Sequence, residues 1–408
     1  MRIAFVVQSF PILSETFILN QITGLLDRGH AVEIFASKRG DLAKVHGDVG
    51  RYRLLDRAAF APAMPSGRAR RAVSGGVLAA ENLFRDPAGV VRALNVWSYG
   101  RRAASLSLLY SAAPFYGRDG CDVVHCHFGP AGLHALMMRE LGLLRGKLVT
   151  TFYGYDVSLV LRRQGGDIYR DLFRRCDLIM ALSRHMRQKL IGLGCDADKV
   201  IIHRIGVDCE KFGYRERMRG NGPVRITSVA RLVEKKGIEY GIRAVSRLLQ
   251  QGLRVEYRVV GDGELREPLT RLVSELGIEG NVKLVGALTQ EQVVDVLNDT
   301  DIFLLPSTVS ADGDEEGVPT GIMEAMAMGL PVVSSFHSGI PELVEDGVSG
   351  LLAEERDVAG IADRLARLVA HPEDCREMGR AGRAQVKANF NIVKLNDDLV
   401  RIYECLAG

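Results

Sequence analysis

Short runs rich in β-branched residues alternate with longer amphipathic runs along this chain, stop near its middle, and then start again. Residues 2–7, 31–37, 123–126, 148–152, 178–181 and 200–203 read as strands, with helices over 15–28 and 131–141. Parallel strands need a crossover connection, usually a helix, so this alternation predicts a parallel sheet covered on both faces. It ends at Gly206-Val207-Asp208. A polar, basic stretch over 209–222 follows, with Gly213, Gly220 and Gly222 ahead of Pro223. Strands then return at 224–230, 255–260, 282–285, 302–305 and 331–334, and helices at 237–250, 265–276, 290–297 and 321–328. Helices over 358–370, 374–388 and 393–407 close the chain. The expected fold is α/β: two Rossmann-like, doubly wound parallel-sheet domains at 1–208 and 223–388 facing a cleft. Residues 209–222 would link them, and a helix in 389–408 would cross back to the first domain. Ligands of such sheets sit outside the carboxyl ends of the strands, so functional motifs are sought just after them.

Composition removes several function classes. With 47% apolar and 25% charged residues, the chain is no disordered tail. A net charge of +3 gives no case for nucleic-acid binding, and none is expected. The charge is unevenly spread: 29 Lys+Arg face 18 Asp+Glu in 1–208, net +11, against 24 and 32 in the rest, net −8. A basic first half and an acidic second half imply different partners. The seven scattered cysteines read as reduced thiols and point to the cytoplasm rather than to a disulfide framework. The apolar run at the start is too short for a signal peptide. The nearest candidate for a membrane span, the uncharged stretch 103–117, is too short to span a bilayer. It reads as a buried helix in preference to a membrane-surface element.

The segment richest in chemistry is Glu315-Glu316-Gly317-Val318-Pro319-Thr320-Gly321-Ile322-Met323-Glu324. Pro319 and Thr320 open a helix whose first N–H groups favour an anion such as phosphate. The carboxylates of Glu316 and Glu324 suit the hydroxyls of a sugar or ribose. Arg231 and Lys236 lie between a strand and a helix, and a guanidinium fork beside a compact ammonium suits a diphosphate. Gly261-Asp262-Gly263 follows another strand but lacks the third glycine of a dinucleotide fingerprint, Arg266 standing there. In the first loop, Ser14 reads as the N-cap of the next helix. His125, Cys126 and His127 end a strand. Alternation puts the two histidines on one face without further ligands of zinc spacing, so no metal site is expected. His127 is the better placed to touch a ligand, and His125 reads as a core histidine. Asp299 and Asp301 read as caps. Asp312-Gly313-Asp314 starts like a calcium loop but ends on Met323 where Glu is required.

Together these residues resemble the retaining glycosyltransferases of family four, which have the GT-B fold. The resemblance runs along nearly the whole chain. It rests on Glu316 to Glu324, Arg231 with Lys236, Gly261-Asp262-Gly263, His203-Arg204-Ile205-Gly206-Val207-Asp208, Asp301 to Ser307 and Gly339 to Val344. The opening, Ser9-Phe10-Pro11 with Ser14-Glu15-Thr16-Phe17-Ile18, is similar to the colanic acid and exopolysaccharide branch. It implies transfer of a hexose from a nucleotide diphosphate sugar, UDP ahead of GDP, to a lipid-linked saccharide with retained anomeric configuration. Neither a metal nor any other cofactor is implied. Arg231 and Lys236 would hold the diphosphate, Glu324 the ribose, and Glu316 the donor sugar. Gly261, Gly263, Gly317, Val318, Pro319 and Thr320 would complete the donor site. His127 would lie near the anomeric centre, and Ser14, Glu15, Tyr153 and Asp156 on the acceptor side. Tyr153 stands where the family often has His, and Arg204 where it often has Asn. The basic first half would meet an anionic lipid surface at the inner face of the cytoplasmic membrane. The alternatives are a GT-B epimerase acting on the nucleotide sugar, a non-catalytic binding module, and an NAD-dependent oxidoreductase disfavoured by the missing fingerprint.

Overall fold

The computed structural model describes residues 1–42, 45–216 and 222–408. The stretch 217–221 of the expected linker therefore lies outside the described residues. The first sheet holds β1 (Arg2–Phe10), β2 (Ala31–Arg39), β3 (Ala58–Phe60), β4 (Val123–His127), β5 (Lys147–Phe152), β6 (Leu178–Ala181) and β7 (Val200–Ile202). Their order is β3-β2-β1-β4-β5-β6-β7, with every neighbouring pair parallel. The second sheet holds β8 (Val224–Val229), β9 (Val255–Val260), β10 (Val282–Gly286), β11 (Ile302–Leu305), β12 (Val332–Ser335) and β13 (Leu351–Ala353). It runs β10-β9-β8-β11-β12-β13, again all parallel.

Helices on both faces explain why β4, β6, β11 and β12 are buried along their whole length and read as unbroken apolar runs. Strand order reverses between β1 and β4, and between β8 and β11. At each reversal successive helices leave on opposite sides of the sheet and open a crevice at the strands' carboxyl ends. The loops at those ends carry the motifs.

Several local expectations change. Two of the four edge strands, β3 and β13, were not expected: Ala58-Ala59-Phe60 and Leu351-Leu352-Ala353 lack the β-branched residues that mark the equally short edge strand β7, Val200-Ile201-Ile202. The first helix spans Thr16–Asp27 with Glu15 at the N-cap and no side-chain cap, so Ser14 does not cap it. The stretch 103–117 forms no single helix. It is broken into Arg101–Ala104, Ser107–Ala112 and a turn at Ala113–Phe115, with Leu108, Leu109, Ala112 and Phe115 buried. Among the described residues no helix is long and apolar enough to cross a membrane. Asp299 ends a helix, whereas Asp301 accepts from the Arg225 N–H at 2.8 Å and from its guanidinium, fixing the start of β8.

The chain crosses between the halves twice at one place. Val207 donates to the Phe390 carbonyl at 2.8 Å and accepts from Ile392 at 3.1 Å. The helix Ile392–Ala407 then lies on the first half. Gly24 permits the close approach, since a Cβ there would meet the Asn396 amide at 1.9 Å. Arg28 pairs with Asp397 at 2.6 Å, and the His203 ring bonds the Leu395 carbonyl at 3.0 Å. The Tyr403 hydroxyl shares a 2.5 Å hydrogen bond with His125, whose other nitrogen meets Thr151 at 2.7 Å. His125 is thus a satisfied core histidine, kept neutral because burial pushes its pKa well down. Replacing Tyr403 by Phe would strand a buried imidazole nitrogen, which costs about 1–3 kcal/mol. Urea unfolding of Tyr403→Phe is expected to show a lower midpoint; an unchanged midpoint would mean this contact does not tie the helix down.

Candidate active site

The basic floor of the cleft follows β8. Gly261 and Gly263, after β9, lie directly against it. A Cβ at 261 would stand 1.8 Å from the Ala230 carbonyl oxygen, and one at 263 would stand 2.5 Å from that of Leu232. Their absence lets the two loops join, with Leu232 donating to Asp262 at 2.9 Å and Leu265 donating to Leu232 at 3.0 Å. This brace presents Arg231, which is exposed, at the cleft. The two glycines themselves do not line it, so the structure gives them a bracing role in place of direct donor contact.

Lys235 and Lys236 follow on a short turn. Lys235 pairs with Asp314 at 2.8 Å, and Lys236 forms a close ion pair with Glu316. Burial works against the Glu316 carboxylate, but Lys236 and Lys235 outweigh it and hold its pKa well below the usual range. The loop around Glu316 is fixed from behind. Its backbone N–H donates to His337 Nε2 at 3.0 Å, and His337 Nδ1 donates to Glu355 at 2.6 Å. Glu355 also accepts from the Thr308 hydroxyl and the Val309 N–H, both at 2.9 Å. An imidazole that accepts at Nε2 must carry its proton at Nδ1.

Gly317, Val318, Pro319 and Thr320 line the cleft and lead into the helix Thr320–Ala327. Pro319 is its N-cap and supplies no side-chain cap, leaving the first-turn N–H groups for an anion. Glu324 sits on this helix, half-buried, outside the cleft lining and without a hydrogen-bond partner among the described residues. Burial pushes its pKa up to about 7, with Lys211 pulling the other way.

Glu15, Ser14, Phe17, Phe128, Tyr153, Gly154 and Tyr155 form the opposite wall. Burial pushes Glu15 up to about 7, and Arg231 opposes that shift across the cleft. Asp156 does not reach the cleft, contrary to the sequence reading. It is fully buried and accepts from the N–H groups of Gly129, Tyr153 and Gly154 at 3.0–3.2 Å. It therefore ties together the loops after β4 and β5. His127 is also sealed in. It is fully buried, stacked on Phe5 at 5.0 Å, with Nδ1 2.6 Å from the Tyr153 hydroxyl. Burial lowers its pKa to about 3, so it stays neutral. Tyr153, which lines the cleft, therefore stands between His127 and the cleft.

The walls meet at the ends of β5 and β11. A Cβ on Gly154 would lie 2.9 Å from the Glu315 carbonyl oxygen, and one on Gly317 2.6 Å from that of Tyr153. Lys189 pairs with Glu315 at 2.8 Å, and Ser158 donates to Asp314 at 3.2 Å. A cleft of about 400 Å³ remains, lined by both halves.

Residues 14–211 match the model of Glycosyltransferase Family 4, and residues 215–385 that of Glycosyl transferases group 1. Over 410 residues the chain is 40% identical to the amylovoran biosynthesis glycosyltransferase AmsK of Erwinia amylovora, covering all of both chains. It is 37% identical over 409 residues to the putative colanic acid biosynthesis glycosyltransferase WcaL of Escherichia coli K12, also in full. The chain belongs to this family of exopolysaccharide glycosyltransferases. Its fold is GT-B: the structure of HepE from Anabaena, solved with UDP, superposes with a TM-score of 0.72 over all of both chains at 17% identity.

Within this glycosyltransferase, sequence reasoning gave no role to Lys235, Lys189, His337 or Glu355. His337 lies 21 residues from Glu316, on a loop after another strand, and no local spacing signals it. A carboxyl with a raised folded pKa costs nothing below its unfolded value and progressively more as pH climbs through the folded one. Glu324→Gln is therefore expected to stabilise the protein by about 1–3 kcal/mol at pH 8 and to leave it unchanged at pH 4. Equal effects at both pH values would show that Glu324 is not held against its charge.

Proposed function

We propose that the protein is a retaining hexosyltransferase, taking a hexose from a nucleotide diphosphate sugar, UDP in preference to GDP, to a lipid-linked saccharide. It would act at the inner face of the cytoplasmic membrane during assembly of a surface or exported polysaccharide. The observation that carries this is the convergence of Arg231, Lys235 and Lys236 on one cleft with the open N-terminus of the helix Thr320–Ala327. That arrangement matches a diphosphate and stabilises the charge that develops as it leaves. The UDP bound to HepE, which shares the fold, supports uridine as the base.

In this reading Glu316, ionised and oriented by Lys236, accepts hydrogen bonds from hydroxyls of the donor sugar. The family resemblance gives the ribose to Glu324, which lies on the helix just behind the cleft-lining Pro319 and Thr320. The bond from the anomeric carbon to the β-phosphate oxygen breaks, and the acceptor oxygen bonds the same face. The acceptor proton passes to the departing phosphate oxygen, so no enzyme nucleophile is used. Three cationic side chains and a helix terminus supply the leaving-group stabilisation that a metal provides elsewhere. Ser14, Glu15 and Tyr153 face the acceptor, with Asp156 and His127 holding Tyr153 from behind.

Thermal shifts with UDP, GDP, ADP and NAD, each with a chelator, test the donor. A rise with UDP alone is expected, because a ligand that binds only the native state stabilises it. A rise with NAD alone would overturn the reading. Glu316→Ala is expected to lower kcat/KM by about 10²–10³-fold in a folded protein. Near-normal turnover would remove Glu316 from the mechanism. Donor consumption that needs no acceptor would point to an epimerase instead.

A further inference from the structure

Between β3 and β4 the chain makes a long helical excursion through Arg68–Leu83, Pro87–Ala93, Val96–Tyr99 and Arg101–Ala104. One side of the first helix is packed. Its Gly75 would clash with Leu106 at 2.7 Å if it carried a Cβ, and the Tyr110 hydroxyl donates to the Arg71 carbonyl at 3.2 Å. Another side is bare. Val73, Val77 and Phe84 recur at helical spacing and are 70%, 54% and 93% exposed. Val91 is 63% exposed, and Trp97, the only tryptophan, is 95% exposed. Nine of the eighteen exposed large hydrophobic side chains among the described residues fall within 64–97. Scattered exposed apolar residues are ordinary, but such a concentration marks an interaction surface.

Its charge says what it meets. Residues 67–104 hold seven arginines, no lysine and only two carboxylates. One of the two, Asp86, is engaged by the Gly89 N–H at 2.8 Å. Arg68, Arg70, Arg85, Arg101 and Arg102 are exposed and form no ion pair among the described residues. Another arginine cluster of the basic half is matched: Arg170 pairs with Asp167, Arg174 with Asp171, and Arg175 with Glu140. Unmatched cations beside exposed aromatic and aliphatic groups suit an anionic lipid interface, where rings settle at the headgroup level and guanidinium groups reach phosphates. A second copy of the chain fits poorly, since a two-fold contact sets this patch against itself, arginine against arginine.

We propose that this excursion is the surface on which the protein docks to an anionic phospholipid bilayer, with Phe84 and Trp97 entering the headgroup–acyl boundary. The inference rests on the reading of a lipid-linked acceptor. It places the contact on the half that faces that acceptor. Arg102 and Ser107 share a hollow of about 380 Å³ with His134 and Pro130, on the helix Gly129–Glu140 that begins beside the cleft-lining Phe128.

Because Trp97 is the only tryptophan, its emission reports on this surface directly. The full chain is mixed with vesicles of phosphatidylglycerol and phosphatidylcholine, and with vesicles of phosphatidylcholine alone. The expected result is sedimentation and a blue-shifted emission with the anionic vesicles. Binding should weaken at least about tenfold between roughly 0.1 and 1 M salt, as screening requires. The double variant Val77→Ser, Phe84→Ser should lose binding at least about tenfold while keeping its transfer to a water-soluble acceptor. Sedimentation without an emission shift would overturn this surface and leave membrane contact to another. A shift that grows with protein concentration in the absence of vesicles would assign the patch to self-association. No sedimentation, with transfer to a detergent-dispersed lipid-linked acceptor intact, would overturn the docking proposal alone.

Discussion

The ion pair between Glu316 and Lys236 is the contact around which the cleft is organised. Its partners come from loops after β8 and β11, the strands at which the second sheet reverses its order. Placing two charges where water is scarce is costly unless their remaining capacity for hydrogen bonding is met. The structure leaves the Glu316 carboxylate with capacity to spare and braces the residues around the pair. Lys235 takes Asp314, and the Glu316 backbone is gripped by His337, itself held by Glu355. Glu316 is thereby ionised and fixed before any substrate arrives, which is the condition for electrostatic preorganisation.

The opposite wall uses a different device. There the buried groups are neutral or shared among backbone donors. Asp156 gathers three N–H groups, and His127 is uncharged against Tyr153. One wall is thus a fixed array of charges and the other a rigid, nearly uncharged shape, with Glu15 its one carboxyl on the cleft among the described residues. The walls touch through glycines at 154 and 317, where no side chain could fit, and through Lys189 on Glu315. The returning helix Ile392–Ala407 keeps the halves attached from behind. Cleft closure in two-domain enzymes excludes water and completes the site, and these front contacts are placed to do so.

The fold was largely legible in the sequence because buried parallel strands leave long apolar runs and helices leave a 3.6-residue period. Val224–Val229 and Ile302–Leu305 show this directly. Ala58–Phe60 and Leu351–Ala353 were not legible, since unlike the equally short Val200–Ile202 they hold no β-branched residue. In the site, Arg231, Lys236 and Glu316 were found because charged residues just after strands are conspicuous. Direction was harder to read. The sequence put His127 and Asp156 in contact with ligand, but both turned inward: His127 Nδ1 meets the Tyr153 hydroxyl from the next strand's loop, and Asp156 gathers the N–H groups of Gly129, Tyr153 and Gly154. His337 and Glu355 were invisible for the same reason: a supporting contact made by the fold has no local spacing. The unmatched arginines of 68–102 could be told from the matched ones of 170–175 only once ion pairs were seen.

The central claim is that the cationic floor of the cleft is a diphosphate site. Calorimetric titration of UDP into the wild type and into the Arg231→Ala, Lys236→Ala double variant tests it most directly. Each charge-assisted contact is worth about 1.5–3 kcal/mol, so the account predicts that the variant loses at least about a hundredfold in affinity while remaining folded. Unchanged affinity would place the nucleotide elsewhere and contradict the account.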